Sequence, residues 1–546
     1  MNKSKTDSTF IQQASILAAA ALISRLIGFI YKLPLTNMIG DEGMGLYGAG
    51  YQIYNLLIIL SSAGLPAAIS KMVSERLALG QFRNAHKVYE VSLFASSALG
   101  ILCSVVLFTA SKSIALSFSG AQASPNLDSM LTIRTLAPTI AVVAVMSVYR
   151  GYYQGLGSTM PTAVSQIIEQ IVNAVSSVAL AWYLMKTFNH IKYGAAGGTA
   201  GTGIGAVFGL IFILLVYRMY LPVIRNKTEK QRGIIVSESK RKILRELLST
   251  VFPIIAGTAI FSFTNIVDTQ MVLGRLQEYM PYEKALGLYG QLSNKFVSLS
   301  TLPVSISSAI ATASIPSIAA SRVLKKSRDT SDKINTAMRV SMVISIPSAV
   351  GLGVLGNQIL LMLFKSYPEG GLLLQIGAAS IIFLALYQIT TGMLQALNKV
   401  RVPMFAVVAG VAVKIPLNYF LLGVPEINIL GAVISTIVCY VISSAVEIVI
   451  LVRLTKIRLD IAGMLVRPLA SSAAMGMACF VCYHLLYYIV PSNTLCTLFA
   501  IAAGLASYFF MMLLVGGFKA GDIALMPKGG SILRLFERAG IAGMLR

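Results

Sequence analysis

Charged side chains are scarce in this sequence. Asp, Glu, Lys and Arg make up 12% of the 546 residues, whereas soluble domains carry about 25%, so a sizeable soluble domain is excluded. Histidine is nearly missing: His86, His190 and His484 are the only three, and they show no ligand spacing, so no histidine-based metal or catalytic cluster is expected. The five cysteines, Cys103, Cys439, Cys479, Cys482 and Cys496, all fall in apolar stretches. That placement speaks against a disulfide framework. Cys479 and Cys482 form a lone CxxC with no second pair and are expected to pack as small apolar side chains. Long loops with paired carboxylates are also missing, and no nucleophilic or metal-assisted motif is present, so an enzyme is not expected.

What the chain has in abundance is apolar sequence, 56% of its residues. Apolar runs longer than about 18 residues, the signature of membrane-spanning helices, recur along its whole length. The pattern predicts an all-α polytopic membrane protein with fourteen spans, at 12–36, 46–69, 88–114, 130–152, 160–186, 193–220, 247–274, 287–312, 336–364, 371–396, 402–423, 429–452, 462–490 and 493–518. The first run is too long for a cleavable signal peptide, and no small-residue cleavage site follows it.

The formal net charge of +23 would suit a nucleic-acid partner, but its distribution excludes one. With the N-terminus on the cytoplasmic side, 33 of the 44 basic residues fall in loops on that side and 6 on the other. Such a bias is a topology signal, and it places both termini in the cytoplasm.

The sequence repeats itself. Gly45-Leu46-Tyr47-Gly48 returns as Gly287-Leu288-Tyr289-Gly290, and Gly151-Tyr152-Tyr153-Gln154-Gly155-Leu156 returns as Gly392-Met393-Leu394-Gln395-Ala396-Leu397. A proline follows each second motif, Pro161 or Pro403, and then Glu169-x3-Asn173 or Lys414-x3-Asn418. Each half holds six spans, so both enter the membrane from the same side, as parallel repeats about an axis along the membrane normal. Transporters use this plan to hold a central site between two lobes. The expected organisation is a first lobe, 1–220; a basic cytoplasmic linker, 221–246, with a surface-lying helix near Ser239–Leu248; a second lobe, 247–455; two further spans, 456–518; and a basic amphipathic tail, 519–546. The glycine run Gly194–Gly209 permits close helix packing.

Within the spans stand Arg25, Lys32, Arg134, Lys295 and Lys414 against Glu169, Asp268 and Glu447. The excess of positive charge calls for water or an anionic ligand. A guanidinium near mid-bilayer costs about 2.5–3.5 kcal/mol on insertion scales, and its planar fork suits phosphate. Arg25, Lys32, Arg134 and Lys295 are therefore candidates for a cationic cavity. Glu169 and Lys414, at equivalent repeat positions, are candidates for gating or for coupling the lobes. Glu447 is expected at the inner interface.

Ser24-Arg25-Leu26-Ile27-Gly28-Phe29, Gly45-Leu46-Tyr47-Gly48, Gly151-x2-Gln154-Gly155 and the ending Asp522-Ile523-Ala524-Leu525-Met526-Pro527 resemble the MurJ-like, polysaccharide-transporter branch of the multidrug/oligosaccharidyl-lipid/polysaccharide (MOP) exporter superfamily. The chain looks similar to its sporulation protein V-B and lipid II flippase group, over essentially the whole length. The resemblance implies a flippase that moves undecaprenyl-pyrophosphate-linked sugars, notably lipid II, from the inner to the outer leaflet of the bacterial cytoplasmic membrane. It implies Arg25 at the pyrophosphate and a lipid-tail groove on the last two spans. Where relatives have a second arginine, this chain has Tyr31, with Lys32 beside it. Where some relatives hold sodium, it offers Asp268, Asn418 and Lys414, and the Lys414 ammonium is expected to replace the ion and pair with Asp268. No cofactor is expected: the membrane potential is expected to drive transport, with a monovalent cation as the weaker alternative. The implied partners are the lipid-linked oligosaccharide, membrane lipids and cell-wall synthesis enzymes, with the protein a monomer. The competing readings are a flippase for exopolysaccharide, teichoic or spore-related units, and a multidrug/cation antiporter, which an excess of cavity cations disfavours.

Overall fold

The computed structural model describes residues 16–17, 19–118, 127–229, 237–323, 327–399 and 401–517. The predicted amphipathic tail and the middle of the basic linker lie outside the described residues. Among those described, the regular structure is entirely helical. The helices are α1 (Ala19–Ile30), α2 (Lys32–Ile58), α3 (Leu65–Ala78), α4 (Phe82–Ser117), α5 (Asp128–Gly155), α6 (Met160–Phe188), α7 (Ile191–Glu229), α8 (Lys240–Leu276), α9 (Tyr282–Gly290), α10 (Val297–Val323), α11 (Ser327–Leu363), α12 (Gly371–Gly377), α13 (Ala379–Ala396), α14 (Arg401–Leu422), α15 (Leu430–Thr455), α16 (Arg467–Ile489) and α17 (Asn493–Leu514). Wider π-helical turns occur at Ile59–Ala63, Gln291–Phe296 and Ala462–Val466. Eleven helices among the described residues are long and apolar enough to cross a membrane. The chain is thus a multi-pass membrane protein.

It divides into two compact units, Met1–Gly290 and Gln291–Arg546. The division falls after α8 and α9, elements that the repeat assigns to the second lobe.

In the first unit, α1 continues into α2 without a break in hydrogen bonding: Tyr31 N–H donates to the Ile27 carbonyl at 3.1 Å and Leu35 N–H to the Tyr31 carbonyl at 3.3 Å. The chain reverses instead at Gly40, with φ 72° and ψ 179°, a backbone conformation essentially confined to glycine. The repeated Gly-Leu-Tyr-Gly motifs are packing devices. A Cβ on Gly45 would strike the Leu286 carbonyl, and one on Gly290 would strike the Asp41 carbonyl, so α2 and α9 lie backbone to backbone.

α6 begins at Met160 and carries Pro161 in its first turn, where a missing N–H is tolerated. It ends at Asn189, which is left-handed at φ 48°. α7 packs along it through the glycine run. A Cβ on Gly197 would lie 2.7 Å from the Leu180 carbonyl and one on Gly205 2.5 Å from the Glu169 carbonyl, while one on Gly201 would strike the Ser177 backbone. Small residues at this spacing let membrane helices approach closely where solvent exclusion supplies no drive.

α8 is one helix of 37 residues, capped by the Ser239 side chain, which accepts from Lys242 N–H at 3.2 Å. The surface helix expected near Ser239–Leu248 is therefore the first three turns of α8. Its start is moored to the ends of α3 and α4. Arg76, 5% exposed, pairs with Glu238 at 2.6 Å and Glu246 at 2.8 Å, and the Asn84 side chain accepts from Glu238 N–H at 3.1 Å.

The second unit repeats that mooring. Arg339 pairs with Asp460 at 3.1 Å, and the Asn335 side chain accepts from Asp460 N–H at 3.2 Å. Its core gathers α10, α11, α13 and α15 around Ile334, Met338, Ile381 and Ile389. α14 closes on α15 at Gly410, where a Cβ would lie 2.7 Å from the Cys439 carbonyl. All five cysteines are free thiols.

Candidate functional site

The site begins with the faces of α1. At 3.6 residues per turn, Leu22, Leu26 and Ile30 form one apolar stripe, exposed by 39%, 44% and 59%. Ser24, Gly28 and Tyr31 lie on the flank turned toward α6. A Cβ on Gly28 would lie 3.8 Å from the Gln170 side-chain oxygen, and the Tyr31 phenol meets the side chains of Tyr47 and Asn173. Arg25 and Lys32 stand two turns apart on one line, between the two faces. Arg25 is exposed and has no hydrogen-bond or ion-pair partner among the described residues. Lys32 is half-buried, with its carbonyl accepting from the Thr36 hydroxyl at 2.7 Å.

α6 opposes this line with a polar ridge. Gln166, Gln170, Asn173 and Ser177 recur at i, i+4, i+7 and i+11, a single helical stripe. Its C-terminal half is bonded. The Asn173 carbonyl oxygen accepts from Ser177 at 2.9 Å and Thr202 at 3.3 Å, and Thr202 meets the Tyr51 hydroxyl at 2.5 Å. Tyr51 stacks on Tyr47 at 4.7 Å, and Tyr47 meets Tyr31, hydroxyl to hydroxyl, at 2.8 Å. Its N-terminal half is not bonded: Gln166 Oε1, like Ser24 Oγ on α1, is buried without a partner among the described residues. Leaving such groups unmade costs about 1–3 kcal/mol each. The arrangement offers an unpaired guanidinium, an ammonium two turns away and neutral hydrogen-bonding groups alongside, on a face that is otherwise apolar.

The remaining predicted residues lie elsewhere. Arg134 donates from Nε to Ser111 at 3.0 Å and lies 5.2 Å from the centre of the Phe108 ring, which ties α5 to α4. Lys295, in the second unit and 1% exposed, donates to the carbonyls of Tyr367 at 2.6 Å and Glu369 at 2.9 Å. Its charge holds the loop before α12. Glu169 pairs with Arg150 at 2.7 Å, and Arg150 Nε also donates to Ser165 at 2.9 Å. α5 runs to Gly155, so Arg150 lies inside the helix.

Asp268 is half-buried on α8, beside Thr269, whose hydroxyl meets that of Tyr289 at 2.9 Å. Lys414, 7% exposed, and Asn418, fully buried, lie on α14 of the second unit, where Asn418 accepts from the Ser435 hydroxyl at 3.2 Å. Asp268 and Lys414 thus belong to different units. Glu447 is not at an interface: it is fully buried and accepts from Thr390 and, at 2.8 Å, Thr391. α15 runs on to Thr455, which carries Glu447 two turns inside the helix against α13. Among the described residues no group of three or more His, Cys, Asp or Glu is placed to hold a metal ion.

Sequence reasoning missed Gln166 and Gln170. The signal that finds them is the recurrence of uncharged amides on one face of an apolar helix.

Comparison with known proteins places this geometry in a family. The profile described as "Polysaccharide biosynthesis protein" matches residues 10–322, and the one described as "MatE" matches residues 253–420. The chain is 26% identical over 444 residues to the lipid II flippase MurJ of Bacillus subtilis (strain 168), covering 80% of this chain and 81% of that protein. It is 26% identical over 536 residues to stage V sporulation protein B of the same organism, covering 96% and 99%. Among solved structures, one described as lipid II flippase MurJ in an inward closed conformation superposes with a TM-score of 0.67 at 15% identity, covering 91% of this chain and 98% of that one. The chain therefore belongs to the polysaccharide biosynthesis protein family.

Proposed function

We propose that the protein is a flippase for lipid-linked, pyrophosphate-bearing sugar precursors in the bacterial cytoplasmic membrane. It carries them from the inner to the outer leaflet by alternating access through fourteen spans. Lipid II is the first candidate substrate, with exopolysaccharide, teichoic or spore-related units as the alternatives. The observation that carries the reading is the line from Arg25 on α1 to Lys32 at the start of α2, with the Arg25 guanidinium unpaired near the polar ridge of α6. A diphosphate supplies the counter-charge that Arg25 lacks, and the polyprenyl tail stays in lipid. An anionic head group has about 30 Å of hydrocarbon to cross. An inside-negative potential favours outward movement of the anion by about 2.3 kcal/mol per charge per 100 mV. In this reading the Lys414 ammonium takes the place of a coupling cation, and transport needs no sodium.

The test is Arg25→Ala in a strain depleted of its own lipid II flippase, with membrane abundance checked by immunoblot. The expected result is loss of growth rescue at normal abundance, with affinity for lipid pyrophosphate down roughly 10- to 100-fold, the value of a charge-assisted hydrogen bond or two. Full rescue by Arg25→Ala would remove the central site. Transport that persists in vesicles with the potential collapsed would remove the energy source.

A further inference from the structure

α1 and α6 run in parallel register. Gly28 abuts Gln170 and, three residues on along both helices, Tyr31 meets Asn173. One turn back along both, the same register leads to Ser24 on α1 and Gln166 on α6. These are the residues of this helix pair whose buried side-chain oxygens, Ser24 Oγ and Gln166 Oε1, lack a partner among the described residues. The next residue after Ser24 is Arg25. The bonded C-terminal half of the ridge, linked from Asn173 to Tyr51, fixes the two helices, so the unbonded step is held in place by its neighbours.

We infer that Ser24 and Gln166 form the neutral half of the ligand site: they recognise the sugar attached to the phosphate that Arg25 holds. The chemistry matches group by group. A guanidinium has donors only and suits the phosphate oxygens. A carboxamide oxygen needs a donor and a serine hydroxyl can both give and take, which is the complement of sugar hydroxyls and N-acetyl groups. A bare diphosphate has acceptors but no donor for the Gln166 oxygen, so these two residues distinguish a sugar-bearing lipid from its spent carrier. The inference rests on the proposed reading of Arg25, and the experiment separates the two.

The full chain in lipid nanodiscs is tested for binding of three probes: undecaprenyl pyrophosphate, undecaprenyl-pyrophosphoryl-N-acetylglucosamine and lipid II. The unaltered protein is expected to prefer at least one sugar-bearing probe over the bare pyrophosphate. Gln166→Leu, which keeps the volume and removes the hydrogen bonds, should weaken that preferred probe roughly tenfold, the worth of a buried hydrogen bond. It should leave undecaprenyl pyrophosphate within about twofold. Ser24→Ala should act in the same sense, and it stands in for Gln166→Leu if that variant is not monodisperse. Equal affinity of the unaltered protein for all three probes, or equal loss for bare and sugar-bearing probes in both variants, overturns the assignment. Arg25→Ala should weaken all three probes together. If it weakens none while Gln166→Leu still discriminates, the phosphate reading fails and the sugar contact stands.

Discussion

α6 and α14 occupy the same place in the two repeats, and their difference shows where the chain has built a site. An offset of 245 residues takes Glu169 to Lys414 and Asn173 to Asn418. The asparagine serves one purpose in both: Asn173 accepts from Ser177 and Thr202, and Asn418 accepts from Ser435, so each pins its helix to a neighbour. The rest of the ridge has diverged. Gln166, Gln170 and Ser177 correspond to Val411, Ile415 and Leu422. The charge has inverted as well, from a glutamate held by Arg150 to a buried lysine. The repeat therefore preserves the scaffold contact and confines the hydrogen-bonding face to one copy.

The sharpest way to break the comparison is to move a charge across it. Glu169→Lys copies the second repeat into the first and sets two cations against each other at the 2.7 Å Arg150 contact. Breaking one partner of a buried pair costs about 3–5 kcal/mol, less here because both side chains are partly exposed. The expected outcome is loss of most monodisperse protein on size-exclusion chromatography, recovered when Arg150→Glu is added. Normal yield of the single variant would mean that the pair is not what holds α5 to α6.

A smaller effect should come from the packing that both copies share. Gly201→Val and Gly410→Val each force a side chain into a neighbour's backbone, at about 1–3 kcal/mol for overpacking. Both should lower the midpoint of thermal unfolding in detergent. A drop for Gly201→Val alone would show that close approach matters in only one repeat. The smallest effect is expected from Val411→Gln, which copies an amide of the ridge into α14. Probe affinities should stay within about twofold, because no partner of Arg25's kind accompanies it. A tenfold gain for a sugar-bearing lipid would place a second site on the second repeat.

The legible part of this molecule is what a one-dimensional pattern can encode. Arg25 and Lys32 stand out because a charge in an apolar helix is costly wherever it points. The glycine run of α7 stands out because its spacing is a packing signal. Lys295 carries the same kind of charge but a different duty, since its acceptors are carbonyls 72 and 74 residues away and nothing local announces them. Glu447 was read as an interface residue because a span end was placed a few residues short; its donors come from α13, which is distant in sequence. Gln166 and Gln170 carry no charge, so a search for costly groups passes over them, and only the register with α1 gives them meaning.

Gly40 has a consequence for motion. Its φ of 72° and ψ of 179° turn the chain within a single residue, so the link between the two arms of α2 has no slack. The Arg25 line and the tyrosines of the second arm then travel as one rigid hairpin, and any rearrangement must take its hinge elsewhere. Gly40→Ala puts a Cβ into a conformation that only glycine holds without strain, and would shift the Arg25 line relative to the second arm without touching either.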